Sequence, residues 1–214
     1  MIALNDISAL IKKKENVDNV VIQASGSKHV FIYSFLFALM SSNTKVIFDN
    51  VPNISDTDFI IEYATKAGAV VFYDKDKNCV EITRGIQKNI VWTPFVVNCR
   101  SSLIAITVHA LLFSKCCIAN SLGGCKIGER KIDQHVKLWN ALGGEVSIDE
   151  FISLEIDNQE CCENFIFDID TTMGTVSALF ALSQGRLLKV ANPSRRPEII
   201  SLVEFMNILG YPIK

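Results

Sequence analysis

The chain has 214 residues, 49% of them hydrophobic, which is enough to bury a core as one large domain or two small ones. Lysine and arginine (21) nearly balance aspartate and glutamate (23), so the formal net charge is only −2. Such a chain has no overall field that would attract nucleic acid or an acidic membrane surface, and any anion site must be local. The apolar runs at 30–40 and 102–113 are shorter than the roughly 20 residues of a membrane-spanning helix. We therefore expect neither nucleic acid nor membrane as a partner.

The first twenty residues differ from the rest of the chain. Ile2, Leu4, Ile7 and Leu10 are spaced as on one face of an amphipathic helix, and a charged stretch follows them. The positive charges come after the apolar residues, and no small-residue cleavage site follows, so the segment does not resemble a secretory signal. We predict an N-terminal helical extension over 1–20 and a cytoplasmic protein.

The remainder of the chain repeats one pattern three times. Each copy runs from a short β-rich stretch to an asparagine, then through a polar loop into an amphipathic helix that stops at a glycine. These glycines, Gly68, Gly143 and Gly210, lie 75 and 67 residues apart, and each is suited to a left-handed helix C-cap. The three copies occupy 46–71, 117–147 and 188–213.

A second, almost wholly apolar helix precedes each copy, at 29–40, 102–113 and 174–183. A helix that is apolar all round must be enclosed by protein. We therefore predict an α/β fold of three βαβαββ repeats, with the apolar helices packed together inside and the sheets outside. The alternative is a chance likeness between the segments. The predicted boundaries are one domain over 21–214, with repeats at about 21–85, 86–157 and 158–214.

The first candidate site is the stretch SGSKH at 25–29, where a predicted strand ends and a buried helix begins. Glycine and serine permit a tight turn, the helix N-terminus offers unpaired N–H groups, and Lys28 adds a positive charge. The combination suits a phosphate or a carboxylate. The alternative is an ordinary solvated capping turn.

Arg100 stands at the head of the second apolar helix, the place that Lys28 holds in the first repeat. If the apolar helices bundle, the two cations converge and can face one anion. The alternative is a surface arginine. In the third repeat, Arg195 and Arg196 precede the amphipathic helix, where they either reach a ligand or remain solvated.

The stretch GGCKIGER at 123–130 has three glycines that allow close approach of the backbone to a ligand. Lys126 and Arg130 supply positive potential, which favours a lowered pKa for the thiol of Cys125. Cys125 can then act as a nucleophile, or as a proton donor and acceptor. The alternative is a disordered loop with an incidental cysteine.

The other cysteines read as small buried hydrophobic residues. The adjacent pairs 116–117 and 161–162 do not have the spacing of metal ligands, so we predict neither a metal nor a cofactor.

Polar residues open the helix after the glycine-rich stretch. Arg130 and Asp133 fall on nearly one face, which suits a structural ion pair or the two edges of a polar ligand. Gln134 follows them. His135 is either a base or a hydrogen-bonded bystander, and His109, inside the second apolar helix, is predicted to be a core residue.

Five stretches together resemble, in order and spacing, the motifs of the UDP-N-acetylglucosamine enolpyruvyl transferase family, a relative of the shikimate-pathway synthase. The resemblance covers residues from about 20 to 214 and implies an inside-out α/β barrel domain of three βαβαββ repeats. It also implies transfer of enolpyruvyl from phosphoenolpyruvate to UDP-N-acetylglucosamine in peptidoglycan precursor synthesis. The stretches are ASGSKH, DNVPNISDTD, NCRSSL, LGGCKIGERKIDQH and NPSRRPEI.

The resemblance assigns roles at the matching positions. Lys28 and Arg100 would bind the phosphate and carboxylate of phosphoenolpyruvate, with Arg130 assisting at the phosphate. Cys125 would be the thiol of a mobile loop that protonates or covalently holds the enolpyruvyl carbon, the residue that fosfomycin alkylates in the family.

The remaining positions concern the acceptor. Asp133 and Gln134 would lie near the uracil of the nucleotide sugar. His29 takes the place of an asparagine that contacts the sugar in the family, and this departure permits a different acceptor.

A family member is roughly twice as long as this chain, and its second domain supplies an aspartate base and further arginines. We therefore expect a complementary domain or subunit, or pairing of the chain with itself. The alternative is a half that binds without catalysis.

Overall fold

The structure, a computed structural model, describes residues 9–10, 19–23, 26–41, 45–87, 99–119, 131–156 and 162–213. In these ranges the chain is mixed α/β, with six helices and ten strands. It divides into two compact units, residues 1–88 with 200–212 and residues 89–199 with 213–214.

The first unit contains a five-stranded sheet in the order β1-β2-β3-β5-β4. Strands β2 and β3 are parallel, whereas β5 runs antiparallel to both β3 and β4. The elements are β1 (Ala9–Leu10), β2 (Asn19–Gln23), α1 (Lys28–Met40), β3 (Lys45–Asp49), α2 (Ser55–Lys66), β4 (Val70–Asp74) and β5 (Cys79–Arg84).

The start of the chain differs from the helix predicted over 1–20 at the positions that the structure describes. Ala9 and Leu10 form a strand that pairs antiparallel with Ile22 and Val21 of β2. The outer edge of β2 offers unpaired N–H and C=O groups, and a second strand satisfies them. The rest of the predicted extension before Asn19 lies outside the described residues.

The second unit contains an antiparallel sheet in the order β6-β8-β7 and a parallel pair formed by β9 and β10. Helix α6 begins in this unit and continues into the first. The elements are α3 (Ser102–Phe113), β6 (Lys115–Ala119), α4 (Asp133–Ala141), β7 (Gly144–Ile148), β8 (Phe151–Ile156), β9 (Cys162–Ile166), α5 (Thr172–Ser183), β10 (Leu187–Ala191) and α6 (Pro197–Ile208).

The predicted repeat is visible in the order of the elements. The first repeat, from β2 to β5, reads βαβαββ. The second shows the last five of these six elements, since the position of its first strand lies outside the described residues, and the third reads βαβα from β9 to α6. The predicted glycines Gly68, Gly143 and Gly210 have φ of 84°, 74° and 90°, which confirms the left-handed C-cap at each amphipathic helix.

Helices α1, α3 and α5 are the apolar helices of the sequence, and they are the buried ones. Every residue of α1 from Val30 to Met40 is buried, and so are 102–111 in α3 and 174–181 in α5. Amphipathic α2 buries only one face. Within the described ranges, no helix combines the length and hydropathy needed to cross a membrane.

Aromatic rings fill the core of the first unit. Phe31 meets Phe48 edge to face, with ring centroids 5.5 Å apart, so α1 packs on the central strand β3. Phe37 lies 6.1 Å from Phe205 and 5.0 Å from Tyr211, also edge to face. Residues from the end of the chain therefore complete the core around the first buried helix.

Candidate functional site

Lys28 is the first residue of α1 and lies where the predicted turn places it. Gly26 has φ of 70°, and the Ser27 hydroxyl caps the helix by accepting a bond from the N–H of Val30. The Lys28 ammonium donates to Oδ1 of Asp56 at 3.1 Å. The side chains are 40% and 19% exposed, so the pair lies at the surface of the first unit. Lys28 thus combines a positive charge with a helix N-terminus, as an anion site requires.

Arg100 stands just before α3, in the second unit. Its guanidinium Nη2 donates to the backbone carbonyl of Lys131 at 3.0 Å. Lys131 lies twelve residues before Gly143, and Asp56 lies twelve residues before Gly68. The cations at the heads of α1 and α3 therefore contact the same position, each in its own repeat, which supports the predicted equivalence of Lys28 and Arg100.

Gln134 holds the head of α4 against the segment after β9. Its amide oxygen accepts from the N–H of Asp168 at 3.1 Å, and its Nε2 donates to Oδ2 of Asp168 at 3.4 Å and to Oδ2 of Asp133 at 3.5 Å. Lys137 also bonds the Asp168 carboxylate. These bonds, from Lys137 first and then from Gln134, lower the pKa of Asp168. Gln134 is buried and Asp133 is exposed, so Asp133 is the better placed of the two to meet a ligand.

His135 is buried one residue further along α4. Burial in the first place and the nearby Arg100 in the second lower the pKa of its imidazole to about 4, while Asp133 opposes the change. The ring is therefore neutral at pH 7 and a weak base. Its Nε2 has no hydrogen-bond partner among the described residues. The alternative of a structural histidine held by a hydrogen bond at Nε2 therefore finds no support there.

A chain of buried hydrogen bonds fixes α4 against two apolar helices. The indole Nε1 of Trp139 donates to Thr107 Oγ1 on α3 at 2.9 Å, and this hydroxyl bonds to the hydroxyl of Ser177 on α5 at 3.1 Å. All three residues are buried. This one network therefore joins the second turn of α4 to the middle of α3 and of α5.

Two of the predicted catalytic residues, Cys125 and Arg130, lie outside the described residues, and their roles stay predictions. Of the cysteines that the structure describes, Cys99 and Cys116 are buried, while the other three are partly exposed. Burial raises the pKa of the Cys116 thiol to about 12, so that thiol is no nucleophile. Among the described residues, no group of three or more His, Cys, Asp or Glu side chains is arranged to hold a metal ion.

The remaining sequence candidates have ordinary surroundings. His29 is exposed, with its ring stacked 5.7 Å from that of Tyr33. His109 is buried in α3, which confirms the prediction of a core residue. Arg195 and Arg196 are exposed before α6.

The sequence did not single out two carboxylates that hold candidate residues. An aspartate such as Asp56 is common in the first turn of a helix, so it attracts no notice in α2. Only its separation of twelve residues from Gly68 shows that it is equivalent to Lys131. Asp168 carries no local signal, because its contact with Gln134 spans 34 residues.

Solved structures with a similar fold are enolpyruvyl transferases. The enolpyruvyl transferase NikO from Streptomyces tendae aligns with a TM-score of 0.66 at 15% identity, covering 87% of this chain and 44% of that protein. The EPSP synthase from Acinetobacter baumannii aligns with a TM-score of 0.54 at 13% identity, covering 86% of this chain and 46% of that one. The fold is that of this enzyme class.

The chain belongs to the EPSP synthase (3-phosphoshikimate 1-carboxyvinyltransferase) family, whose model matches residues 11–214. A UDP-N-acetylglucosamine 1-carboxyvinyltransferase from Buchnera aphidicola subsp. Schizaphis graminum is 30% identical over 195 residues, or 90% of this chain. The protein of the same name from Aeromonas hydrophila is 26% identical over 199 residues, or 92% of the chain. The resemblance seen in the sequence is therefore confirmed. The chain spans about half the length of these relatives, 45% and 46%.

Proposed function

We propose that the protein is part of an enolpyruvyl transferase that moves enolpyruvyl from phosphoenolpyruvate to a hydroxyl of UDP-N-acetylglucosamine or a similar nucleotide sugar. The observation that carries the proposal is the match, over about 90% of the chain, to relatives named for that reaction. The protein would then act in peptidoglycan precursor synthesis, in the cytoplasm.

The fold proposed for residues 21–214 is a single inside-out α/β barrel domain. Its three repeats would gather α1, α3 and α5 at the centre and leave the sheets outside. The burial of all three helices supports this arrangement, because a helix without a polar face is stable only when protein encloses it.

Lys28 and Arg100 are proposed to bind the phosphate and carboxylate of phosphoenolpyruvate, with Arg130 at the phosphate. Lys28 and Arg100 stand at the heads of buried helices and contact equivalent positions of their repeats, Asp56 and Lys131. A planar guanidinium suits a carboxylate, and a lysine at a helix N-terminus suits a phosphate.

Cys125 is proposed as the acid of the reaction. The acceptor hydroxyl oxygen forms a bond to C2 of phosphoenolpyruvate while the thiol gives its proton to C3, and the hydroxyl proton passes to a base. Loss of phosphate from C2 and of a proton from C3 then restores the double bond and gives the enol ether. The positive charges of Lys126 and Arg130, close to Cys125 in the sequence, would lower the pKa of its thiol.

Asp133 and Gln134 are proposed to lie near the uracil of the nucleotide sugar, and His29 near its sugar. The exposure of Asp133 and His29 supports a direct contact for each. Gln134 would act through the bonds that its amide makes with Asp133 and Asp168.

The base and the remaining phosphoenolpyruvate contacts are proposed to come from a complementary domain or subunit, or from a second copy of the chain. The support is the length of the relatives, since this chain covers less than half of each. The same fact favours a second candidate function, a half that binds the substrates without catalysis.

The test is release of phosphate from phosphoenolpyruvate in the presence of UDP-N-acetylglucosamine. We expect activity from this chain together with the half of a full-length relative that it does not match, and a loss of at least 100-fold on Cys125→Ala. Cys79→Ala, at a partly exposed cysteine of β5, is the matched control and should keep full activity. If every mixture is inert while calorimetry shows that both substrates bind, the second candidate function, substrate binding without catalysis, is correct.

The thiol itself can be tested without turnover. We expect an epoxide such as fosfomycin to label Cys125 in preference to the cysteines that the structure describes, as read by peptide mass spectrometry. Labelling spread evenly over the partly exposed cysteines would contradict an activated Cys125.

A further inference from the structure

The strand β4 is the outermost strand of the five-stranded sheet in the first unit, and no strand in the described ranges pairs with its outer edge. It belongs to the first repeat, of which the structure describes all six elements. The open edge is therefore a feature of a complete βαβαββ unit. Unpaired N–H and C=O groups at such an edge are a template for a further strand, and proteins commonly protect them with charged residues, proline or a covering segment.

The side chains of β4 give no such protection. Phe72 is 65% exposed and Val70 is 53% exposed. Residues 69–73 contain neither a charge nor a proline, and they are mostly aromatic and β-branched, as in strands that pair well. An exposed edge of this composition indicates a surface that another strand covers.

The corresponding edge of the second repeat is polar. Phe72 and Ser147 are equivalent, because each is joined through one intervening strand to the third residue before an asparagine, Asn50 in the first repeat and Asn120 in the second. Two residues earlier, the second repeat has the exposed Glu145 in place of a valine. The strand β7 therefore carries a charge and a hydroxyl at the positions where β4 carries exposed apolar groups.

We propose that β4 is a self-association site, at which a second copy of this chain adds its own β4 antiparallel to the first. The two-fold axis passes through the pair formed by Phe72 of the two copies, so the same surface serves both partners. Val71 then lies opposite Tyr73 of the other copy. Aromatic side chains directly opposite each other stabilise an antiparallel pair, and the backbone bonds join the two sheets into one.

The charges favour a second copy as the occupant. In this register Val70 lies opposite Asp74 of the other copy. Arg84 of β5 pairs with Val70, is exposed, and forms no ion pair with any described residue. Each copy thus places a cation in the same row as the carboxylate of the other, two strand spacings or about 10 Å away between Cα atoms, which two long side chains can span.

No like charges come opposite each other in this pairing, because residues 69–73 are uncharged. The association is independent of the proposed enzymatic function, since it rests on strand pairing alone. It is also reversible: in the dilute monomer β4 is an edge strand whose amides exchange fast, and in the dimer its outward N–H groups are bonded and exchange slowly.

A cysteine at the two-fold axis tests the register. Residues directly opposite in an antiparallel pair have Cα atoms about 4.5–5.5 Å apart, within the range of a disulfide. Phe72→Cys in the full 214-residue chain should therefore link to its own counterpart under mild oxidation, as identified by peptide mass spectrometry. Val70→Cys is the matched control, because the two equivalent positions would be about 14 Å apart along the strands and should not link.

Sedimentation tests the association without a cross-link. The parent chain should show a monomer–dimer equilibrium, and Phe72→Lys should abolish the dimer, whereas Ile148→Lys, at an exposed isoleucine of β7, should leave it unchanged. Arg84→Glu should raise the dimer Kd about fivefold. Lys189→Glu is the control for charge, since Lys189 is exposed on another strand.

Three results would overturn the proposal. The first is a parent chain that stays monomeric as its concentration rises and shows no link through position 72. The second is a dimer that ignores Phe72→Lys or links equally through positions 70 and 72, which would show a different interface. The third is slow hydrogen exchange at β4 in the dilute monomer, which would show that the chain itself covers this edge.

Discussion

The Lys28 ammonium is paired with the Asp56 carboxylate across the first turns of two helices. An anion that binds Lys28 must compete with that carboxylate. Two charges 4 Å apart attract by about 1 kcal/mol in water, and both side chains are partly exposed, so the competition is modest. If Lys28 binds an anion as proposed, we expect Asp56 to lower the affinity of that site modestly.

Replacing Asp56 by asparagine should tighten phosphoenolpyruvate binding about fivefold, because it removes roughly 1 kcal/mol of competing attraction. Lys28→Met should weaken binding by more than tenfold, and calorimetry measures both. Asp58→Asn is the control, since Asp58 lies in the same turn but pairs with Lys75. Equal effects of the two aspartate changes would mean that only overall charge matters.

The buried imidazole of His135 makes stability depend on pH. Its pKa is about 4 in the folded protein against 6.5 for an exposed histidine, so the unfolded chain binds a proton that the folded chain excludes. Stability is therefore complete above pH 6.5 and falls as the pH drops from 6.5 towards 4. The contribution is at most about 3 kcal/mol.

Urea unfolding between pH 4 and 7 should show this loss, and His135→Gln should make the curve flatter by up to the same amount. The comparison is of slopes, so a general destabilisation by the substitution does not affect it. A proton NMR titration of the imidazole checks the pKa directly. A slope that is identical in the two proteins would contradict the buried, neutral ring.

At the scale of elements, α4 depends on the hydroxyl of Thr107. That group accepts from the indole of Trp139 and bonds to Ser177, so one atom connects three helices. A buried N–H that loses its acceptor costs more than an exposed one, because water cannot replace the bond. The packing of α4 therefore depends on a residue inside an apolar helix.

Thr107→Val keeps the shape of the side chain and leaves the Trp139 indole without an acceptor, so we expect a loss of about 1–3 kcal/mol in the free energy of unfolding. Thr65→Val is the matched control. The hydroxyls of both threonines bond a backbone carbonyl one turn earlier, that of Leu103 for Thr107 and that of Ile61 for Thr65. Thr65 lies on an exposed surface, so the loss there should stay below about 0.5 kcal/mol. Similar losses of unfolding free energy in the two variants would show that the buried hydrogen-bond network does not contribute to stability.

Features of the elements that depend on local chemistry were predictable from the sequence. Gly68, Gly143 and Gly210 marked three helix ends because only glycine adopts φ near +80° without strain. The burial of the three apolar helices was predictable because a helix without a polar face is stable only when protein encloses it. The strand at Ala9–Leu10 was not predictable, since the apolar residues at helical spacing in the first twenty residues carry no information about the free edge of β2.

The sequence predicted the cations of the candidate site but not the residues that contact them. Lys28 and Arg100 were found because both stand at the heads of apolar helices. The contacts of Asp56 and Asp168 join segments 28 and 34 residues apart, and nothing in the local sequence records them. The equal distance of Asp56 and Lys131 from their glycines was the one available signal.

On the scale of the whole molecule, stability should be concentrated in the three apolar helices. Hydrogen exchange should be slowest for the amides of α1, α3 and α5, because opening them exposes apolar surface on every side. The amphipathic α2 and the edge strand β4 should exchange at least tenfold faster. Faster exchange in α1 than in α2 would contradict the burial described above.

The packing of Phe37 against Phe205 and Tyr211 has a consequence for synthesis of the protein. When the first 88 residues have left the ribosome, α1 lacks the rings that cover it, and they arrive only after some 120 further residues have been made. Until then its phenylalanines are open to chaperones and to other nascent chains. A premature stop near residue 150 should therefore yield aggregated polypeptide instead of a smaller folded protein.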